Sequence, residues 1–145
     1  LISLAADRDL VEARIREIHD AIKLLEELAA RKFEELTIHE RLSIRYLVIQ
    51  LVEAAAGVCL HLLAEEYDEK AESYPGCFNR LGELGLIPRD LAARLASAAR
   101  LRNLLVHRYW AVDDEKVYGS VREGLEDFRS FAKLARRLLE GGARA

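Results

Sequence analysis

The chain has no methionine, one tryptophan, two prolines and two cysteines in 145 residues. Two cysteines fall short of a disulfide framework or a four-ligand zinc site. We therefore expect Cys59 to pack in the core as a small apolar side chain. Pro75 and Pro88, the only prolines, leave long stretches free for uninterrupted helix. No apolar run reaches the roughly 18 uncharged residues of a membrane span. Glu53 interrupts the longest candidate, so no membrane association is expected. The first fourteen residues carry acids and lack the cleavage pattern of a secretory leader, which predicts a cytoplasmic setting. Glutamine and threonine occur once each and asparagine twice, against many Arg and Glu. That bias suits a thermophile, and genomic base composition gives the same bias.

Several reaction chemistries lack their residues. No Glu-x-x-His pair of the di-iron bundles occurs. Gly82-Glu83-Leu84-Gly85 has neither the third glycine nor the preceding strand of a dinucleotide fingerprint. There is no phosphate loop ending in Lys-Ser or Lys-Thr, and no serine in a nucleophile elbow. His61 and Glu65 share a helix face at i, i+4, a pair more often a surface contact than a metal site, while His19 and His39 sit among charged neighbours and read as exposed. We expect no metal and no cofactor.

What is present is helical. The composition is 51% hydrophobic and 32% charged, globular rather than disordered, and the length predicts one domain over residues 1–145. Val11, Ile15, Ile18, Ile22, Leu25 and Ala29 form a helical stripe, predicting a first helix over 8–36. Thr37 and Glu40 have capping-box spacing and open a second helix to about Tyr67. It is apolar almost all round between Tyr46 and Leu63, as a central helix would be. An acidic loop over 68–76 precedes a short helix over 75–84, closed by Gly85. Pro88 opens a fourth helix with Leu91, Leu95, Ala98, Leu101 and Leu105 as its core face. Asp113 and Asp114 suit the N-cap of a last helix, with Val117, Val121, Leu125, Phe128, Ala132, Ala135 and Leu139 as its stripe and Gly141-Gly142 at its end. The predicted fold class is all-α: an up-and-down four-helix bundle with one additional short helix.

The net charge of −3 argues against bulk attraction to nucleic acid, but its distribution is uneven. Between Arg89 and Trp110 five arginines stand against Asp90 alone. Within that segment Arg102, Asn103, His107, Arg108, Tyr109 and Trp110 crowd the end of an otherwise apolar helix. At 100° per residue Arg102 and Tyr109 would fall within about 20° of each other, and His107 about 140° from Arg102. Convergence of Arg102 and His107 on one small group therefore needs an unwound helix or a second copy of the chain. The plainer alternative is structural: Arg102 paired with an acid on the last helix, His107 capping the helix end, and the aromatics packed on the bundle end.

The pattern Arg-Asn-x-x-x-His-x-Tyr, present as Arg102, Asn103, His107 and Tyr109, resembles the signature of the HEPN superfamily, specifically of the HepT toxins of type VII HepT–MntA toxin–antitoxin systems. The stretches VIQLVEAAAGVCLHLLAEE, SYPGCFNRLGELGLIP and LRNLLVHRYWAVDDEKVY are similar to that family in order and spacing. The resemblance implies a HEPN-like bundle and a metal-independent endoribonuclease acting as a homodimer, with two motif copies facing one cleft. It implies His107 as general acid or base, Arg102 as the phosphate-holding and charge-stabilising group, and Asn103 as an orienter of the site. Arg100 and Arg108 are candidates for flanking RNA phosphates on charge alone. The resemblance further implies a MntA-like minimal nucleotidyltransferase antitoxin as partner, which transfers AMP from ATP to Tyr109 and silences the toxin. The competing functional reading is a non-catalytic HEPN scaffold, or a nucleotide-binding partner subunit of such a nucleotidyltransferase.

Overall fold

A computed structural model describes residues 4–142. Its elements are α1 (Leu4–Ala29), a 3₁₀ turn (Phe33–Glu35), α2 (Ile38–Tyr67), α3 (Tyr74–Glu83), α4 (Arg89–His107), a second 3₁₀ turn (Tyr109–Ala111) and α5 (Asp114–Gly142). Four long helices and one short one form the expected all-α bundle, and no strand occurs among the described residues.

Helix α2 is the axis of the bundle and packs against each of the other four helices. Its length and composition would suit a membrane span, but most of that apolar surface is buried inside the bundle. Leu47, Leu51, Ala55, Val58 and Leu62 are buried together with Val48, Val52, Ala56, Cys59 and Leu63, so apolar residues are enclosed on several sides. The helix opens on a complete capping box: the Thr37 hydroxyl accepts from the Glu40 amide, and the Glu40 carboxylate accepts from the Thr37 amide. Two donors at the helix start are satisfied in this way. The Thr37 backbone N–H foremost, with Arg31, holds the Glu40 carboxyl below its ordinary value.

Helix α1 stops short of its predicted bound, at Ala29, where its apolar stripe ends, rather than at Leu36. The end is held from α5, where the single Tyr118 hydroxyl proton is shared between the Ala29 carbonyl, at 3.2 Å, and that of Arg31. These bonds satisfy carbonyls at the helix end, and Arg31 donates back to the Glu35 carbonyl at 3.0 Å, bracing the 3₁₀ turn.

Helix α3 begins at Tyr74, one residue before the expected start, with the Ser73 hydroxyl accepting from the Gly76 amide. It lies close along α4. A Cβ on Gly82 would sit 2.7 Å from the Ala92 Cβ, so only glycine permits this approach. Gly85 follows with φ +75°, a turn that returns the chain for Pro88 to open α4. The embrace by α3 also turns α4. Ala92, Ala96 and Ala99 are buried beside Leu91, Leu95 and Leu105, whereas Ala98 and Leu101, expected in the core face, are only partly buried. They line a groove of about 480 Å³ between α4 and α5.

The two cysteines depart from the sequence expectation. Cys59 is fully buried as expected, but it is bonded to Cys77 in a disulfide that ties α2 to α3, with a Cα–Cα distance of 6.3 Å. A count of two excluded a framework, not a single bond, and only the docking of α3 on α2 brings residues 18 apart into register.

Candidate active site at the end of α4

Arg102 lies on the penultimate turn of α4, and three helices determine its posture. Its Nη2 donates to Glu53 Oε1 on α2 at 2.6 Å, and its Nη1 donates to Asn103 Oδ1 at 3.0 Å. The Tyr74 ring, at the first residue of α3, lies 4.8 Å from the guanidinium carbon, a cation–π distance. The Arg102 side chain is 17% exposed, and its Nε is buried without a hydrogen-bond partner. The acid that neutralises Arg102 thus comes from the second helix, not from the last as the plainer alternative proposed.

His107 is the last residue of α4 and is exposed. Both Arg102 and His107 lie within regular helix, so the roughly 140° between them stands. Arg108 then leaves helical geometry at φ −138°, ψ 44°. Tyr109 therefore sits in the 3₁₀ turn beyond the helix end, and its alignment with Arg102 on one straight helix does not hold. Among the described residues no hydrogen bond links Arg102, His107 and Tyr109 to one another. Within one chain the structure joins Arg102 to Asn103, and leaves His107 and Tyr109 displayed separately at the same end of α4.

The turn carrying Tyr109 is fixed by a residue that the sequence reading missed. Arg45 on α2 donates from Nη1 to the Tyr109 carbonyl at 2.9 Å and from Nη2 to the Val112 carbonyl at 3.3 Å. Its Nε pairs with Asp114 Oδ1 at 2.5 Å. The Asp113 carboxylate caps α5 by accepting from the Glu115 amide. On this fixed turn Tyr109 and Trp110 pack edge to face, centroids 5.3 Å apart, and remain 60% and 70% exposed. Glu53, known from sequence only as an interruption, was the other omission. For Glu53 the signal was a lone charge in an otherwise apolar stretch; Arg45, close to Glu40 and Arg41, carried none.

The remaining arginines differ. Arg108 is exposed beside His107, whereas Arg100 lines the α4–α5 groove, about 200° around the helix from Arg102. Neither has an ion-pair partner among the described residues. Arg94 is held by Asp127 at 3.0 Å and by Asp90 at 3.4 Å. Among the described residues no group of three or more His, Cys, Asp or Glu side chains is placed to hold a metal ion.

The bundle is the fold of HEPN proteins. It superposes with a TM-score of 0.82 on a tri-AMPylated Shewanella oneidensis HEPN toxin solved in complex with an MNT antitoxin, at 22% identity over 89% of this chain and 98% of that one. It matches the cytosolic Bacillus subtilis protein YutE equally well, at 16% identity over 94% of this chain and 92% of that one. Residues 18–135 match the family model described as Ribonuclease HepT-like, and the chain belongs to that family. A relative from Aphanizomenon flos-aquae, described as tRNA nuclease HepT, is 26% identical over 110 residues, covering 71% of this chain and 75% of its own length.

Proposed function

We propose that this protein is the ribonuclease toxin of a toxin–antitoxin pair, acting in the cytoplasm as a homodimer of single-domain subunits. The observation that carries this reading is the position of Arg102, Asn103, His107 and Tyr109 at the end of α4 in a chain of the Ribonuclease HepT-like family. Arg102 holds the scissile phosphate and stabilises charge on its oxygens in the transition state. His107 of the second subunit takes the proton of the 2′-hydroxyl or protonates the leaving 5′ oxygen. The 2′ oxygen attacks phosphorus, the P–O5′ bond breaks, and the products are a 2′,3′-cyclic phosphate and a 5′-hydroxyl. The angle separating Arg102 and His107 supports a division of labour between two copies. Asn103 and Glu53 orient the guanidinium, and Arg108 contacts a flanking phosphate. Arg100, on the far face of α4, would be reached only by a longer strand. No metal ion takes part in this scheme.

Tyr109 is the acceptor for AMP from a MntA-like nucleotidyltransferase. The exposure of its ring on a fixed turn makes it accessible, and an added nucleotide would place bulk and negative charge beside the motif. AMPylation of the Shewanella toxin supports this step. The test is expression in cells and incubation with labelled RNA. His107→Ala should lose growth arrest and cleavage with an unchanged helical spectrum and dimer. Tyr109→Phe should stay toxic and gain no AMP mass on incubation with ATP and the antitoxin. Continued arrest by His107→Ala would overturn the catalytic assignment, and AMP on Tyr109→Phe would move the acceptor elsewhere.

One observation favours the scaffold reading instead: Arg102 already has a carboxylate partner in Glu53. Salt distinguishes the two, because RNA binding weakens steeply with ionic strength and a protein scaffold depends on it less.

A further inference from the structure

Trp110 is the only tryptophan in the chain, and none of the large apolar side chains described is more exposed. Aromatic side chains bury large areas on folding, so a tryptophan left 70% open on a rigid turn forgoes most of that stabilisation. The turn is not loose. Arg45 holds the carbonyls of Tyr109 and Val112 and pairs with Asp114, so the backbone either side of Trp110 is anchored to α2. In an edge-to-face pair only one ring has a face covered, and on one side only. The aromatic faces therefore stay available next to His107 and Arg108, in a segment where five arginines stand against one aspartate. An ordered, solvent-facing aromatic pair among arginines is the arrangement on which unpaired bases stack, and its prior ordering lowers the entropy lost on binding.

We infer that Trp110 is a stacking platform for a nucleobase, supplied by single-stranded RNA or by a free nucleotide. The inference builds on the ribonuclease reading, in which His107 precedes this turn and Tyr109 opens it. It adds a contact to the base where Arg102 and Arg108 contact only phosphate, so Trp110 would influence which nucleotide lies beside the cut.

The single tryptophan provides its own probe. Wild-type protein is titrated with a 2′-O-methylated oligoribonucleotide, which keeps its bases and phosphates and lacks the attacking hydroxyl. Polyphosphate, a polyanion without bases, and ATP are titrated in parallel. RNA binding is followed independently by the anisotropy of a labelled strand. Saturable quenching of tryptophan fluorescence by RNA but not by polyphosphate is the expected result. Trp110→Ala should weaken the RNA Kd about tenfold, with the salt slope unchanged because an indole releases no counterions, and Trp110→Phe should recover most of the loss. Quenching by ATP alone would support the nucleobase and assign it to a mononucleotide. Tight RNA binding with unquenched fluorescence and an unaffected Trp110→Ala would overturn the platform and leave the ribonuclease reading intact. Absence of RNA binding together with no response to ATP would overturn both. A spectral shift on concentrating the protein without ligand, and none with RNA or ATP, would make the turn a protein interface and overturn the platform.

Discussion

Arg45 directs Nε, Nη1 and Nη2 at the segment between α4 and α5. Hydrogen bonds involving a charged partner contribute about 1.5–3 kcal/mol each in favourable cases, and the Arg45 side chain is only 18% exposed. Arg45→Ala is expected to destabilise the fold by about 2–3 kcal/mol, read by urea denaturation, and to slow the proposed AMP transfer to Tyr109 at a temperature where the variant is still folded. Unchanged stability would show that the clamp is not needed to hold the turn. This residue was not legible as a clamp because its partners lie 64 to 69 positions away. Arg102 and Asn103 were legible, since local spacing carries their motif. Glu53 as partner of Arg102 was not, being 49 residues distant on another helix.

Helix boundaries were most readable where a local rule sets them. The Thr37–Glu40 box, Pro88 and the Asp113 cap each lie within a few residues of the end they define. At the end of α1 the stripe stops at Ala29, but the hydroxyl that caps it was not readable, because it belongs to Tyr118, 89 residues beyond Ala29. The register between α2 and α3 was hidden for the same reason, and with it the Cys59–Cys77 bond. That bond closes a loop of 18 residues, for which chain-entropy arguments give about 3 kcal/mol. Reduction by a dithiol is expected to lower unfolding stability by about that amount, measured by urea denaturation with and without reductant. Equal midpoints would show that helix packing alone holds α3. Such bonds are uncommon in mesophilic cytoplasm and frequent within hyperthermophilic cells, consistent with the Arg- and Glu-rich composition.

At the scale of the molecule, many arginines are committed to carboxylates. Bonds to Arg80 hold the Glu69 carboxyl low, and the Leu91 amide followed by Arg94 does the same for Asp90. Glu40 is lowered too, by the Thr37 amide and Arg31. A carboxyl whose folded pKa lies below its unfolded value stabilises the fold above the unfolded value and loses that effect as pH falls through the folded one. The ordinary values are 4.5 for Glu and 3.8 for Asp. Stability is therefore expected to be nearly flat above about pH 5 and to decline below it. Thermal melts from pH 7 to 3 check this, and a melting temperature that rises on acidification would contradict it. Asp90 is exposed and Glu40 and Glu69 are only half-buried, so the slope should be shallow and weakened by salt.

The Arg102 posture draws on Glu53 from α2, Tyr74 from α3 and Asn103 from α4, and the neighbouring turn waits for Asp114 at the start of α5. No single helix of the bundle contains that geometry. A polypeptide interrupted before residue 114 carries every letter of the motif yet lacks one anchor of its turn. A ribosome would have to deliver nearly the whole chain, and the helices would have to dock, before the arrangement existed. Under the proposed function, this makes activity a property of the docked bundle and harmless incompleteness the default.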